Sequence, residues 1–307
     1  MREELGKALA DYGYRNENVV VLDADVSSST KTCTFAEAHP DRFFNVGIAE
    51  PGMINLAVGL ALNNRIPFVS SFAAILCYRG LEQIRTCVAY NNANVKILSS
   101  YAGVSDYKDG PTHHAIFDLA IMRAMPNMTV LNPADGVELG KLLPLAAEWD
   151  GPVYMRISRA DVPKVFSEDI DIKIGKGNVV EEGSDITLVV SGIMLSRTIQ
   201  AQKILEKEGL SVRVVELHTI KPLDKELILE SAEKTGAIVT VEEHTFIGGL
   251  YGAVTETLAQ SIPTPVVPVG INDRYLLTAP DEESIWDYCG LRPVDIVQAA
   301  KRVLNLK

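Results

Sequence analysis

An α/β fold of two domains is what the sequence predicts, and three observations carry it. Short apolar runs bounded by turn residues alternate with amphipathic stretches along the 307 residues. This is the pattern of parallel strands covered by helices. The alternation breaks once, across the acidic, glycine-containing stretch at 166–184, and then resumes. With 47% hydrophobic and 22% charged residues, each half has enough apolar side chain to build its own core without staples. The expected organisation is a domain at 1–165, a linker at 166–184 and a domain at 185–307.

In the first half, VVVLDAD (19–25), PFVSSF (67–72), NVKILSS (94–100), MTVLNP (128–133) and PVYMRI (152–157) read as strands. Helical periodicity fills 2–12, 51–63, 80–90, 115–125 and 135–148. Pro51 stands where a helix tolerates it best, in the first turn. In the second half, strands are expected at 185–192, 210–217, 237–244 and 264–270, with helices at 195–209, 225–235, 248–260 and 294–304.

The net charge of −11, with no run of basic residues, argues against a nucleic acid or an anionic membrane as partner. The first twenty residues hold no apolar signal core, and no stretch is long enough to span a bilayer. A cytoplasmic location is therefore expected. Cys33, Cys77, Cys87 and Cys289 lack CxxC spacing, so reduced thiols are expected rather than a disulfide framework or a zinc site.

The segment FFNVGIAEPGMINLAVGLALN (43–63) carries the chemistry. Glu50 follows an apolar strand and opens a helix, at the strand end where open α/β sheets bind ligands. Val46, Gly47, Ile48 and Ala49 precede it, so its surroundings should be apolar, and desolvation there would keep the carboxyl protonated. Read alone, Glu50 is equally a first-turn acid favoured by the helix dipole. The helix behind it has no polar face, and a helix apolar all round is a buried one. Its small residues Gly52, Ala57, Gly59 and Ala61 suit either intramolecular burial or a subunit interface.

VGIAEPGMINLAVGLA resembles the segment of transketolases that carries the cofactor-activating glutamate. The resemblance implies that Glu50 hydrogen-bonds the aminopyrimidine of thiamine diphosphate, a use of a carboxyl held protonated in a dry pocket. It also implies a fold, a pyrimidine-binding parallel-sheet domain followed by a transketolase C-terminal-like α/β domain. SSFAAILCYRGLEQIR (70–85) is similar to the family's pyrimidine pocket. Phe72 and Tyr78 are retained there, and Ile75 replaces an aromatic. DGPTHHAIFDLA (109–120) is similar to the family's substrate loop, which assigns Asp109 and His113 to substrate and catalysis. His114 replaces a glutamine of that motif, Tyr101 a phosphate-binding histidine, and Lys108 an acid. Arg2, Ser29 and Arg159 align with ligands of a sugar phosphate, and Asp25 with a residue near the cofactor or partner chain. His218 and His244, in the part that resembles the C-terminal domain, are read as non-catalytic.

No GDG motif of the kind that binds magnesium and diphosphate occurs, so no metal ligand is assigned to this chain. The resemblance implies that an N-terminal transketolase subunit supplies that site and holds the Mg²⁺. It implies a two-plus-two assembly in which this chain also self-associates as a dimer. The implied activity is transfer of a two-carbon ketol unit from a ketose phosphate to an aldose phosphate. Half of a deoxyxylulose-phosphate synthase and the beta subunit of a keto-acid dehydrogenase are the alternatives with the same cofactor. A non-catalytic scaffold subunit on the same fold is the alternative of another class.

Overall fold

The computed structural model describes all residues, Met1–Lys307. Its strands in chain order are β1 (Val19–Asp23), β2 (Phe43–Asn45), β3 (Ile66–Phe72), β4 (Lys96–Ser100), β5 (Thr129–Leu131), β6 (Val153–Ile157), β7 (Asn178–Glu181), β8 (Ile186–Val190), β9 (Val212–Glu216), β10 (Thr219–Lys221), β11 (Ile238–Thr245) and β12 (Val266–Ile271). They form two sheets, ordered β10-β5-β6-β4-β3-β1-β2 and β12-β11-β8-β9-β7. All pairings are parallel except β10 with β5 and β7 with β9, which sit at sheet edges. Strands β1, β4, β6, β8 and β9 are buried along their whole length. Helices on both faces of a parallel sheet require this, and it is why the sequence shows unbroken apolar runs.

The α/β class and nearly all strands stand as expected; four local differences have physical causes. Strand β7 lies inside the stretch expected to be a linker, because antiparallel pairing with β9 satisfies its backbone. Strand β10, three residues long, is too short to show periodicity, and it leaves the second half to pair with β5 of the first sheet. Helices Cys33–Ala38, Ala73–Arg79 and Glu282–Cys289 were not expected. The 80–90 helix is a short turn, Leu81–Gln83, continued by the π-helical Ile84–Ala89.

The helix expected to be buried all round, Glu50–Leu62, is not. Met53, Ile54 and Ala57 are buried, whereas Gly52, Asn55, Leu56, Gly59 and Leu62 face outward and are exposed. Nothing lies within 4 Å of where a Gly59 Cβ would stand. On the inner side the packing is tight. A Cβ on Gly80 would meet Ile54 Cδ1 at 2.4 Å and the Leu76 carbonyl at 2.7 Å, so glycine lets this helix lie against Ala73–Arg79.

The two halves share a core, since each of the two main apolar clusters contains residues from both. A buried ionic network reinforces that seam. From β6, the Arg156 guanidinium donates to Asp118 Oδ2 (3.0 Å), to the Ala115 carbonyl (2.9 Å) and to the carbonyl of Glu243 in β11 (2.8 Å). Gly103, at φ +66°, leaves the space that the Glu243 carboxyl fills. None of the four cysteines is paired; Cys77 and Cys289 are buried, Cys33 and Cys87 half-buried. No helix is long and apolar enough to cross a membrane.

Candidate active site

Strands β1, β2, β3, β4 and β6 run parallel, so the segments that follow them emerge along one edge of the sheet. Chain order reverses beside β1: β1 leads outward to β2, and β3 leads the other way to β4. Ligands in open α/β sheets sit outside the carboxyl ends of the strands at such a reversal. Ser29 follows β1, Glu50 follows β2, Phe72 ends β3, Tyr101 follows β4, and Arg159 lies two residues beyond β6.

Glu50 is the first residue of its helix and only 2% exposed. Gly47, in the left-handed region at φ +73°, turns the chain between β2 and the helix. The apolar surroundings expected for Glu50 are not what the structure shows. Its Oε2 accepts from Arg79 Nη1 at 3.0 Å, and Ser71 Oγ lies 3.4 Å from its Oε1. The strand before Glu50 supplied the apolar expectation, but β3 and the helix after it supply the actual neighbours. Arg79 itself is about half exposed, at 52% of its side chain, so the pair stands at the surface end of a buried carboxyl.

Phe72, Ile75 and Tyr78 recur every three residues and are half-buried, while Ala73, Ala74, Leu76 and Cys77 between them are buried. They therefore form one partly open apolar stripe beside the Glu50 helix. The Tyr78 ring stacks on Phe117 at 4.2 Å and 11°, and its hydroxyl accepts from Phe117 N at 3.3 Å. Burial, then the charge of Asp118, push that phenol far above its ordinary value.

A second group assembles around Tyr101. Arg2 Nη1 donates to the Tyr101 hydroxyl (2.8 Å) and to the carbonyl of Ser29 (2.7 Å). The guanidinium carbons of Arg2 and Arg159 stand 5.1 and 5.2 Å from the Tyr101 ring centre. Phe72 packs on Tyr101 at 4.4 Å and approaches His113 at 6.3 Å between ring centres, linking the two groups. His113 Nδ1 is 3.0 Å from Thr112 Oγ1. Asp109 is exposed, above the fully buried Asp106. Asp106 escaped the sequence reading, although it sits three residues before Asp109. Its Oδ1 accepts from Arg159 Nη1 at 3.0 Å. Burial, then the negative charge of Asp109, push the Asp106 carboxyl up to about 6, against the pull of Arg159 and His113.

The structure thus brings together Arg2, Ser29, Phe72, Tyr101, Asp109, His113 and Arg159, with Glu50, Ile75 and Tyr78 alongside. Asp25 stands apart: exposed at φ +66°, it accepts from Asn45 Nδ2 at 2.8 Å. His114 is buried behind the loop, and Lys108 is exposed. His244 and His218 lie in buried polar clusters, and burial pulls each imidazole down to about 4. Beside His218, burial pushes the Glu138 carboxyl up to about 8 and Glu216 well above the carboxylate range.

Comparison with known proteins fits this geometry. Residues 1–164 match the model of the transketolase pyrimidine-binding domain, and residues 175–296 that of the transketolase C-terminal domain. A protein of Methanocaldococcus jannaschii, described provisionally as a transketolase C-terminal section, is 41% identical over 99% of this chain and 95% of its own length. A 6-deoxy-6-sulfo-D-fructose transketolase subunit of a Clostridium species is 36% identical over 100% of this chain and 95% of its own. Among solved structures, an inactive β4 tetramer of a split-gene transketolase is 47% identical, covers 100% of this chain and 98% of its own, and superposes with a TM-score of 0.91. With both domain models in chain order and relatives matched along nearly their full length, the chain belongs to the transketolase family.

Proposed function

We propose that this chain is the C-terminal subunit of a split transketolase. In that reading it moves a two-carbon ketol unit from a ketose phosphate to an aldose phosphate, together with an N-terminal subunit. The observation that carries the reading is the pairing of a buried carboxyl, Glu50, with the half-open Phe72–Ile75–Tyr78 stripe. The family depends on thiamine diphosphate, and these residues fit one part of that cofactor. An apolar stripe accepts a planar ring, and a carboxyl at a helix start can meet a ring nitrogen. When bound, the cofactor would supply a nucleophilic carbon for the ketol transfer.

Glu50 would hold a proton against the ring nitrogen, and Arg79 would swing outward to free Oε2. Arg2 and Arg159, spread by the Tyr101 ring, would grip the anionic end of the sugar, since a guanidinium fork matches a tetrahedral anion. Asp109 and His113 would face its hydroxyls. The diphosphate and Mg²⁺ fall to the partner subunit, whose docking would cover Gly52, Leu56 and Gly59. Two copies of each subunit make the assembly, with this chain also contacting itself. The inactive tetramer formed by the split-gene relative supports the need for a partner. A sulfonate-bearing ketose is the second reading, favoured by the sulfo-sugar relative because the arginine pair suits either anion.

The test is reconstitution with the N-terminal subunit, comparing xylulose 5-phosphate, a 6-sulfo ketose and pyruvate as donors. The phosphorylated ketose should turn over, pyruvate should not, and the single chain should be inactive. Glu50→Gln should lower kcat by about 10²–10⁴-fold, the usual worth of a positioned proton-transfer group. Turnover unchanged by Glu50→Gln would leave the scaffold reading, and preference for pyruvate the keto-acid enzymes.

A further inference from the structure

We infer that Glu138, Glu216 and His218 form a binding site for one divalent cation of the zinc and manganese class, at the seam between the two halves. One oxygen of each carboxyl and one ring nitrogen of the imidazole all lie within 4.8 Å of one another. None of the three residues is more than 1% exposed. They come from separate parts of the chain: Glu138 from helix Gly136–Glu148, Glu216 from the end of β9, and His218 from the turn into β10.

The Glu138 and Glu216 carboxyls lie within hydrogen-bond reach of each other, and no N–H or hydroxyl donor reaches Glu216 Oε1 or His218 Nε2. A buried acceptor left unpaired bears its full desolvation cost, and a cation in the cluster removes it. The remaining atoms of the same groups are already held. Glu138 Oε2 accepts from Ala134 N at 2.6 Å, and Asn178 Nδ2 donates to Glu216 Oε2 at 3.0 Å and, more weakly, to Glu138 Oε1 at 3.5 Å. His218 Nδ1 lies 2.8 Å from Thr219 Oγ1. With Nδ1–H donating to Thr219, the lone pair of the ring stands on Nε2. Metal-bound imidazoles are fixed by such an outer contact.

Charge argues the same way. Asp135, also fully buried, adds a third acid close enough to act on both carboxyls. Two carboxylates and one imidazole are a donor set for Zn²⁺ or Mn²⁺, whereas Ca²⁺ and Mg²⁺ prefer oxygen alone. The cluster lies wholly beneath the surface, so loading belongs to folding rather than to later exchange.

The experiment produces the full chain in media supplemented in turn with Zn²⁺, Mn²⁺ and Co²⁺, removes loose metal by gel filtration, and measures metal per chain. About one equivalent is expected for Zn²⁺ or Mn²⁺, and the Co²⁺ form should show visible d–d absorption. Glu216→Gln and His218→Asn should each retain at least about tenfold less metal while remaining folded by circular dichroism. The wild-type stoichiometry decides the matter even where a variant fails to fold. Metal in the wild type at trace level with all three cations would overturn the inference. So would equal metal in the two folded variants. In the first case, a folded Glu138→Gln/Glu216→Gln double variant as stable as wild type would assign the cluster to two carboxyls sharing a proton.

Discussion

Tyr101 stands between two arginines, and its ring sets what stands around it. At φ +60°, a conformation that side chains other than glycine seldom adopt, it points between Arg2 and Arg159 and spaces both guanidinium groups. Arg2→Ala in the reconstituted enzyme should therefore raise KM for a phosphorylated ketose by about 10- to 100-fold, the worth of one charge-assisted contact, with kcat little changed. Equal losses in KM for phosphorylated and unphosphorylated ketoses would count against the clamp. Asp106 offers a second check. Removing the neighbouring negative charge with Asp109→Asn should move its carboxyl titration below about 6, because that charge favours the protonated form. Carboxyl carbon shifts followed by NMR would show it, and an unmoved midpoint would refute the coupling. Asp106 was not legible in the sequence because its importance comes from a contact 53 residues away, with Arg159. Arg79 was hidden for the same reason, lying 29 residues beyond Glu50.

Strand patterning was legible almost throughout, because fully buried parallel strands read as continuous apolar runs bounded by turns. The elements that were missed are short or defined by their partners. β10 has three residues, and Ala73–Arg79 begins directly at the last residue of β3, so no turn marks the boundary. The end of β11 shows a further property of elements that meet across a seam. Burial pushes the Glu243 carboxyl up to about 7, although Arg156 stands 3.7 Å away and Val104 N donates to it. In the unfolded chain the same group would titrate near its ordinary value, about 4.3. Between these two values the folded chain keeps a proton that the unfolded chain has lost, so Glu243 makes stability fall as pH rises, levelling off above about 7. Glu243→Gln removes that slope. The melting temperature of the variant relative to wild type should therefore climb from pH 4.5 to 7, and a constant difference would refute the assignment.

At the level of the molecule, the outward face of helix Glu50–Leu62 is the largest departure from what the sequence implied. Its composition was readable, but which chain covers it is not written in one sequence. Phe44, Ile48, Leu56 and Leu62 are exposed together with Gly52 and Gly59, an arrangement that lets a second helix approach closely. Leu56→Glu should leave the melting temperature of the isolated chain nearly unchanged, since surface substitutions stay within about 0.5 kcal/mol. The same variant should fail to assemble with the N-terminal subunit by light scattering and should lose activity on mixing. An intact assembly would place the interface elsewhere.

The crossing of β10 into the first sheet has a consequence for dissecting the protein. The chain looks divisible near residue 165, and a fragment ending there would keep six of the seven strands of the first sheet. It would also strip β5 of its outer partner, leaving it paired with β6 on one side only and with an apolar edge of open N–H and C=O groups on the other. Such fragments should precipitate or pair edge to edge. The two halves are separable as folds on paper but not as soluble pieces in the tube, and their unfolding should register as one transition.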